Sequence, residues 1–395
     1  MTMSIPQWYR DHMQPACEFI ASLKPFPFDQ PKDISSFIAL HQNDYLRLGN
    51  HPAVVKARSE ANNATREDTF ISSIYGGDSD ECEQFRSEIA RVMKAGDAML
   101  ITSGWAANVG LLESITPLFK PVYIDNYAHA SLFDGIKLSV GKKVLVNHND
   151  PEHLRERIAK SGPGIVVIDA VYSTDGSIGD IERYVEICEE NDCIMVLDEA
   201  HSFGLFGNGG GLAVELGLED RIHFRTVSLN KALGGHGGLI AGDAEAMRLV
   251  RARCRSVIFS SATSSVSAAG HLAALNVLTT QTERAQRCMD SAQQLRERLN
   301  AHGIDTGDSV CQIVSIVFDS EAATCEFYER LRNDKILTSV FLYPATPKGM
   351  GLVRYSVHSE VQQWELDKTV ECSVRAMREM GLLDSEPSPA AQDLH

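Results

Sequence analysis

The chain has 395 residues, of which 44% are hydrophobic and 23% charged, a composition typical of a soluble globular protein with one large and one smaller domain. Its formal net charge of −16 argues against nucleic acid or an anionic membrane as the main partner. No apolar run approaches the roughly 20 residues of a membrane-spanning helix, and residues 1–10 lack the apolar core of a signal peptide.

In chain order, the first half of the sequence alternates short apolar runs with amphipathic stretches, which predicts βα units around a mostly parallel sheet. Each run is apolar for several consecutive residues, as expected for strands that helices cover on both faces. After the first run, residues 102–104 predict a turn into a helix that begins near Trp105. The runs lie at residues 98–101, 121–125, 164–169 and 193–198.

From residue 264 to residue 302 the pattern becomes helical, which predicts a long connector between two domains. Two strands and two helices are predicted after it, at residues 310–318, 336–342, 322–333 and 361–380. We therefore predict an N-terminal segment at 1–45, a large α/β domain at 46–285 and a small α+β domain at 286–382. The tail at 383–395, rich in Asp, Ser and Pro, is predicted to be disordered.

The nine cysteines are scattered along the chain. The two that lie closest together, Cys188 and Cys193, have a spacing that matches no common zinc pattern and stand among apolar residues. This pattern predicts buried free thiols in a reducing compartment, with no metal site, and we therefore expect a cytoplasmic protein.

Polar residues follow the predicted strands at their C-terminal ends, the edge at which open α/β sheets bind ligands. Asp198 comes directly after a buried run and would place a carboxylate at that edge. A carboxylate there can keep the pyridine nitrogen of a bound cofactor protonated, because opposite charges at contact distance favour both charged forms. Asp198 could equally cap the following helix.

Lys231 follows another short apolar run, with Ser228 before it and a glycine-rich stretch after it. A lysine that forms a Schiff base needs surroundings in which its amine is neutral part of the time, and glycines allow the backbone to approach a cofactor closely. Ser228 could reach a phosphate oxygen. Taken alone, Lys231 has the pattern of a solvated surface lysine, but its combination with Asp198 predicts a pyridoxal-phosphate (PLP) site.

Three further segments fit that prediction without requiring it. Residues 103–105 lie where a strand turns into a helix, whose first backbone N–H groups can bind a phosphate, although an ordinary tight turn has the same pattern. His129 could stack on a planar ring or serve as a structural histidine. Ser173 precedes an Asp-Gly pair, which is itself a strong turn signal.

In combination these segments resemble the α-oxoamine synthases, PLP-dependent enzymes of fold type I, the aspartate-aminotransferase fold. The resemblance extends over roughly residues 35–375 and implies a large, mostly parallel sheet domain with a smaller α+β C-terminal domain. It depends on the motifs NDYL at 43–46, SGWAAN at 103–108, AHAS at 128–131, HND at 148–150, YSTDG at 172–176, DEAH at 198–201 and SLNK at 228–231.

The resemblance implies a role for five residues around the cofactor ring. Lys231 would hold PLP as a Schiff base and later move the substrate Cα proton. Asp198 would pair with the pyridine nitrogen, and His129 would stack on the ring. Ser173 and His201 would lie near the phenolic oxygen.

The same resemblance implies a phosphate site and a substrate site. Arg354 would hold the carboxylate of the amino-acid substrate, although alone it could be a surface arginine at a strand edge. The chain would form a homodimer in which the active sites are shared across the interface. The residues implied at the phosphate are Ser103, Gly104, Trp105 and Ser228, with Ser261 supplied by the second subunit.

Three departures set the chain apart from the mainstream family pattern. Residues 70–78 replace a stretch rich in Gly and Ser that ends in Arg before a histidine, Asn230 replaces a glycine before the lysine, and Leu352 replaces a second arginine. The altered stretch and the single Arg354 are similar to the CqsA-type synthases, which make α-aminoketone precursors of α-hydroxyketone autoinducers. The glycines after Lys231 are more similar to the mainstream synthases.

The implied reaction condenses an acyl-CoA with a small amino acid or S-adenosylmethionine and expels coenzyme A. In the general family the carboxylate is then lost as carbon dioxide, which gives an α-aminoketone. The alternatives are another member of the family, such as 8-amino-7-oxononanoate synthase or 2-amino-3-ketobutyrate CoA ligase, and a fold-type I aminotransferase. A non-catalytic partner subunit is a further alternative, against which the presence of Lys231 argues.

Overall fold

The computed structural model describes residues 5–22, 31, 33–64 and 70–384. The helices are α1 (Gln7–Ser22), α2 (Pro52–Asn63), α3 (Asp80–Val92), α4 (Gly104–Ile115), α5 (Ala130–Leu138), α6 (Pro151–Ser161), α7 (Ile181–Glu190), α8 (Leu212–Glu215), α9 (Ala244–Arg253), α10 (Arg255–Ile258), α11 (Ser265–Thr280), α12 (Glu283–Ala301), α13 (Glu321–Asn333) and α14 (Gln363–Glu379). The strands are β1 (Ile38–Ala39), β2 (Asp97–Ile101), β3 (Pro121–Asp125), β4 (Lys142–Val146), β5 (Ile165–Asp169), β6 (Ile194–Asp198), β7 (Phe224–Ser228), β8 (Gly238–Gly242), β9 (Ile313–Phe318), β10 (Ile336–Leu337), β11 (Ser339–Phe341) and β12 (Gly351–Ser356).

A seven-stranded sheet forms the centre of the molecule, in the order β2-β8-β7-β6-β5-β3-β4. From β7 to β4 all neighbouring strands are parallel, whereas β8 is antiparallel to both β7 and β2. The predicted α/β fold with a mostly parallel sheet is confirmed. Because β3, β5, β6 and β7 run in the same direction, their C-terminal ends meet at one edge.

Helices cover both faces of this sheet, as the continuous apolar runs predicted. Strands β3 and β5 are buried at every position, and their side chains alternate between two apolar clusters. Val122 and Val167 belong to the cluster on one face, and Tyr123 and Val166 to the cluster on the other. A run of consecutive apolar residues is therefore what a strand covered on both sides requires.

A second, antiparallel sheet consists of β11, β12 and β9, and a separate apolar cluster lies between it and helices α12, α13 and α14. Ile38 and Leu40 from the N-terminal region belong to the same cluster, and β1 pairs in parallel with β10. Part of the predicted N-terminal segment thus packs with the small sheet. The domain division at residues 46, 286 and 383 stays a prediction.

The predicted connector at 264–302 consists of two helices, because Gln281 leaves helical geometry between α11 and α12. The predicted strand at 310–318 begins only at Ile313. Its first residues instead contact loops of the large sheet, since the Val310 N–H donates to the Gly176 carbonyl at 3.2 Å and Gln312 Nε2 to the His201 carbonyl at 2.8 Å. Hydrogen bonds to loops distant in sequence therefore replace the strand pairing that the local pattern predicted.

No helix among the described residues is long and apolar enough to cross a membrane. Within the same residues, no group of His, Cys, Asp and Glu side chains could hold a metal ion. The predicted disorder of the tail falls largely on residues 385–395, which lie outside the described part of the chain.

Candidate active site

Two carboxylates stand side by side at the C-terminal edge of the large sheet. Asp169 ends β5 and Asp198 ends β6, and the two are paired in register. Burial and the neighbouring Asp198 raise the pKa of Asp169 well above its usual range. Two adjacent buried carboxyls cannot both be ionised cheaply, so the arrangement keeps one charge at this edge.

Hydrogen bonds on both oxygens fix Asp198 in place. Its Oδ2 accepts from Asn108 Nδ2 at 2.7 Å, and its Oδ1 accepts from the Ala200 N–H at 2.8 Å. Asn108 is itself held by Thr226, whose hydroxyl donates to Asn108 Oδ1 at 2.6 Å. The carboxylate is buried and pre-oriented, which is the condition for pairing with a cation in the adjoining space.

Lys231 lies in the loop between β7 and β8, with its Nζ 2.6 Å from His201 Nε2. Burial lowers the pKa of Lys231 to about 8, although the charges of Asp198 and Asp169 act to raise it. A substantial fraction of this amine is therefore uncharged near neutral pH, unlike that of a surface lysine. An uncharged, positioned amine is what Schiff-base chemistry requires.

His201 is buried between Lys231 and Tyr45, whose hydroxyl lies 2.7 Å from His201 Nδ1. Burial, together with the positive charges of Lys231 and Arg354, lowers the pKa of His201 well below its usual range. The imidazole is therefore neutral, with one ring nitrogen protonated and one free to accept.

The predicted phosphate turn and Ser228 lie against each other. A Cβ atom on Gly104 would stand 2.6 Å from both Cβ and Oγ of Ser228, so only glycine fits at this point of the turn. The Ser103 hydroxyl caps α4 by accepting from the Ala106 N–H at 3.1 Å, and Trp105 is half exposed. The other N–H groups of this first helical turn are placed to bind an anion.

His129 is linked to Asp198 by hydrogen bonds. Its Nδ1 lies 2.7 Å from the Ser131 hydroxyl, and that hydroxyl accepts from the same Asn108 amide that donates to Asp198. The backbone N–H of His129 donates to Asp169 Oδ1 at 3.4 Å. The side chain remains open to solvent, so a ring face is free for stacking.

Arg354 lies on β12 and reaches the large sheet from the smaller one. Its Nη1 donates to the Ser173 backbone carbonyl at 2.6 Å, and its Nη2 donates to Asn43 Oδ1 at 3.0 Å, while the Phe341 ring covers one face of the guanidinium at 4.9 Å. Nε has no partner, and no carboxylate of the described chain forms an ion pair with this buried cation. Burial lowers the pKa of Arg354, so a carboxylate ligand would be strongly favoured here.

The model of the family "Aminotransferase class I and II" matches residues 35–371, most of the chain. The chain belongs to this family. It is 33% identical to the CAI-1 autoinducer synthase of Vibrio campbellii (strain ATCC BAA-1116) over 331 residues, 84% of each protein. It is 30% identical to the 8-amino-7-oxononanoate synthase of Alkaliphilus oremlandii (strain OhILAs) over 351 residues, 88% of this chain and 89% of that protein.

Solved structures show the same fold. A serine palmitoyltransferase from S. paucimobilis with bound PLP superimposes with a TM-score of 0.89 at 24% identity, covering 95% of this chain and 99% of that one. The 8-amino-7-oxononanoate synthase of Francisella tularensis gives a TM-score of 0.74, also at 24% identity, over 88% and 99%. The predicted fold type I, the PLP cofactor and the α-oxoamine synthase class are confirmed.

The residues of this aminotransferase-family chain fit PLP. The glycine contact at the phosphate turn and the pre-oriented Asp198 carboxylate are explained by a cofactor with a phosphate and a cationic ring nitrogen. The orphaned Nε of Arg354 is explained by the carboxylate of an amino-acid substrate. The individual roles of the predicted residues stay predictions.

Two predicted residues do not touch the rest of the site through their side chains. Ser173 is half-buried and contributes its backbone carbonyl to Arg354, while its hydroxyl forms no hydrogen bond to His201. Ser261 is exposed in the loop before α11 and is not brought to Lys231 within one chain. Its placement at the phosphate depends on a second subunit and stays a prediction.

Four residues of the site received no role from the sequence pattern: Asn43, Tyr45, Asn108 and Asp169. Asn43 and Tyr45 stand in the same short motif, and Asn108 interrupts an otherwise apolar stretch of α4. A buried amide in an apolar helix face is a signal for a specific hydrogen-bond partner. The identity of that partner, Asp198, depends on the fold.

Proposed function

We propose that this protein is an acyltransferase that condenses an acyl-CoA with a small amino acid or S-adenosylmethionine, with release of coenzyme A and, from an amino acid, of the carboxylate as carbon dioxide. The α-aminoketone product would be a precursor of an α-hydroxyketone autoinducer. The observation that carries the proposal is that one site holds both a low-pKa lysine and a buried arginine without an anionic partner. Lys231 suits the amino group of an amino acid, and Arg354 suits its carboxylate. The sequence likeness to a CAI-1 autoinducer synthase supports the subgroup.

When bound, PLP supplies an electron sink that stabilises negative charge at the substrate Cα. The chain's own groups hold the reactants around that centre. Lys231, with a pKa of about 8, can accept the Cα proton when its amine is free. Asp198 presents a fixed negative charge to the ring nitrogen, and the guanidinium of Arg354 orients the carboxylate.

We further propose a homodimer in which the loop around Ser261 completes the phosphate site of the other subunit. Residues 70–78 and the loop after α10 lie together, because the Ala262 N–H donates to the Ile71 carbonyl at 2.9 Å. Their exposed apolar side chains form one surface, with Phe70 86%, Phe259 74% and Tyr75 66% exposed. An apolar surface of this kind on a monomer favours burial in an interface.

A cytoplasmic location is part of the same proposal. All nine cysteines of the chain are free thiols, and eight of them are buried. Unpaired thiols in the core are typical of proteins that work in a reducing compartment.

The second candidate is 8-amino-7-oxononanoate synthase, which several relatives of 28–30% identity favour. It differs from the first in the acyl donor and amino acid, pimeloyl-CoA and alanine. A fold-type I aminotransferase is the third candidate, and it would need no acyl-CoA at all.

To test the proposal, the PLP-loaded protein is incubated with acyl-CoAs of increasing length, each paired with small amino acids or with S-adenosylmethionine. Release of coenzyme A is followed with a thiol reagent, and the ketone is identified by mass spectrometry. We expect an aminoketone from medium-chain acyl-CoA donors, and none from the Lys231→Ala variant. A ketone formed only from pimeloyl-CoA and alanine would support the second candidate, and conversion of PLP to its amine form by amino acid alone would support the third.

A further inference from the structure

A continuous chain of hydrogen bonds links Lys231 to Arg354. Lys231 Nζ lies 2.6 Å from His201 Nε2, and His201 Nδ1 lies 2.7 Å from the Tyr45 hydroxyl. The Tyr45 hydroxyl lies 3.3 Å from Asn43 Oδ1, which also accepts from Arg354 Nη2 at 3.0 Å. The two ends of the proposed amino-acid site are therefore connected through Tyr45.

The donor and acceptor roles along this chain follow from Arg354. A guanidinium can only donate, so the Asn43 atom that faces it is the carbonyl oxygen. That oxygen can only accept, so its hydrogen bond with Tyr45 at 3.3 Å uses the hydroxyl proton of Tyr45. With the proton used in this way, the oxygen of Tyr45 accepts from His201, whose proton then sits on Nδ1.

The protonation states of Tyr45 and His201 are consistent with these donor and acceptor roles. Burial raises the pKa of Tyr45, so its hydroxyl keeps its proton. His201 is neutral and has one ring proton to place, and with that proton on Nδ1 its Nε2 carries a lone pair toward Lys231. A bare Nε2 accepts from the amine and favours the protonated form of Lys231.

We propose that Tyr45 is a positioning residue that sets the tautomer of His201 and thereby the proton affinity of the Lys231 amine. The inference rests on the proposed function only in that Lys231 is the reactive lysine. Tyr45 fits the role because it is buried and packed by the large-sheet core, so its hydroxyl cannot turn to solvent. Asn43 and Arg354 then act as the anchor that orients the hydroxyl.

The other titratable groups around Lys231 lie on four elements. Asp198 at the end of β6 and Asp169 at the end of β5 raise its pKa, and Arg354 on β12 lowers it. Partial burial lowers the pKa of His129, at the start of α5, and the Lys231 charge acts in the same direction while Asp198 opposes them. A change at Tyr45 leaves each of these in place, so its effect is separable from theirs.

Tyr45→Phe removes the acceptor of the Nδ1 proton while keeping the ring. A buried N–H without a partner is unfavourable, so the proton moves to Nε2. An Nε2 proton facing Lys231 donates to the free amine and favours the uncharged form. Asn43→Ala has the same effect by another route, because the released Tyr45 hydroxyl can donate to Nδ1.

The experiment uses the PLP-free protein and needs no substrate. The rate at which Lys231 reacts with an amine-directed label is measured against pH by peptide mapping, and 15N NMR of histidine-labelled protein identifies the tautomer of His201. For wild type we expect the Nδ1–H tautomer and a midpoint near pH 8. In Tyr45→Phe and in Asn43→Ala we expect the Nε2–H tautomer and a midpoint lower by about one pH unit, which corresponds to the loss of one hydrogen bond.

Tyr355→Phe is the matched control. Tyr355 is equally buried, and its hydroxyl pairs with Ser373 at 2.7 Å in the small-sheet core. This variant loses a buried tyrosine hydroxyl of the same kind and should leave the Lys231 midpoint unchanged.

An Nε2–H tautomer in wild type would overturn the proposal, and so would an unchanged midpoint in a folded Tyr45→Phe protein. Should Tyr45→Phe fail to fold, the His201 tautomer in Asn43→Ala decides, because that variant also removes a partner of Arg354, whose charge acts on the Lys231 midpoint. A protein that makes no ketone but shows the expected midpoints would refute the proposed function while leaving the role of Tyr45 intact.

Discussion

At Lys231 two opposite effects act on one amine, and burial outweighs charge. Asp198 and Asp169 favour the ammonium form, yet burial lowers the pKa to about 8. A surface lysine with the same neighbours would be fully charged at neutral pH. The loop between β7 and β8 therefore creates the reactivity by removing water rather than by removing charge.

The pKa of Lys231 predicts the acid limb of the pH profile. The Lys231 amine is free only after the amino acid has replaced it on PLP, so its pKa acts on kcat rather than on kcat/KM. Below pH 8 the freed amine is largely protonated and cannot accept the Cα proton, so kcat should rise with pH and level off above about pH 8. Initial rates from pH 6 to 9.5 at saturating substrate concentrations measure this limb. A rate that is flat from pH 6 to 8 would contradict the assigned role of Lys231.

Asp198→Asn tests the charge at the sheet edge. The asparagine can still accept from the Ala200 N–H, so the fold should survive, but the negative charge opposite the ring nitrogen is lost. We expect kcat to fall by roughly 100-fold, as when a pre-organised electrostatic group is removed. Because Asp198 raises the pKa of Lys231, the acid limb should also move to lower pH.

Asp243→Asn is the control for that variant, since Asp243 caps α9 far from the site and asparagine caps equally well. Steady-state kinetics and the pH profile of both variants provide the comparison. An Asp198→Asn enzyme with wild-type kcat would remove Asp198 from the catalytic groups.

At the scale of elements, the turn between β2 and α4 packs closely against the end of β7. Gly104→Ala would place a Cβ atom 2.6 Å from the Ser228 side chain, and we expect the turn to shift. Overpacking of this kind costs about 1–3 kcal/mol of stability, and PLP should bind at least tenfold more weakly. Urea denaturation and PLP titration by fluorescence measure the two effects.

The double variant Gly104→Ala with Ser228→Gly separates the two causes. Removing the Ser228 side chain relieves the clash, so much of the stability should return. The affinity for PLP should stay low, because the serine hydroxyl is gone. Full recovery of affinity in the double variant would exclude Ser228 from the phosphate site.

Much of the element pattern could be predicted from the sequence, because it is set locally. The strands at the centre of the sheet begin and end within one residue of their predicted bounds, since each is a closed apolar run between polar residues. The loop at 310–312 could not be predicted as a loop, because what stops the strand is its contact with Gly176 and with the His201 carbonyl. Apolar pattern carries no information about partners so distant in sequence.

The residues of the site also fall into those that local sequence could reveal and those that it could not. Lys231 and Asp198 could be recognised because a motif surrounds each of them. Asn43 and Tyr45 could not be given a role, because their partners Arg354 and His201 lie 311 and 156 residues away and are brought near only by tertiary packing. Polar partners chosen by tertiary structure are invisible to local sequence patterns.

At the scale of the whole molecule, the proposed dimer makes each active site depend on two chains. If Ser261 completes the phosphate site of the other subunit, each active site takes Lys231 from one subunit and Ser261 from the other. Lys231→Ala and Ser261→Ala then change residues that different subunits contribute to one site. A mixed dimer then contains one site with neither change. Random mixing of equal amounts should therefore restore about a quarter of wild-type activity, because half the dimers are mixed and each has one intact site.

The measurement requires that both parents are nearly inactive alone, and that subunits are exchanged by dilute denaturant and dialysis before assay. Lys231→Ala mixed with Asp198→Asn is the control, since both changes lie in the same chain's share of the site and no intact site can form. Equal activity in the two mixtures would contradict a shared site. Sedimentation velocity on each sample verifies that dimers are present.

The lysine loop has a consequence for the order in which the enzyme matures. Residues 229–237 join two antiparallel strands of the central sheet, and backbone hydrogen bonds within the loop, such as Leu229 N–H to the Gly237 carbonyl at 3.0 Å and Gly235 N–H to the Leu229 carbonyl at 3.1 Å, hold its shape. The backbone of the attachment point is thus held by hydrogen bonds within a local hairpin. We expect the polypeptide to fold first and to bind PLP afterwards. A cell short of vitamin B6 should therefore accumulate a folded, inactive enzyme that becomes active when the vitamin is supplied again.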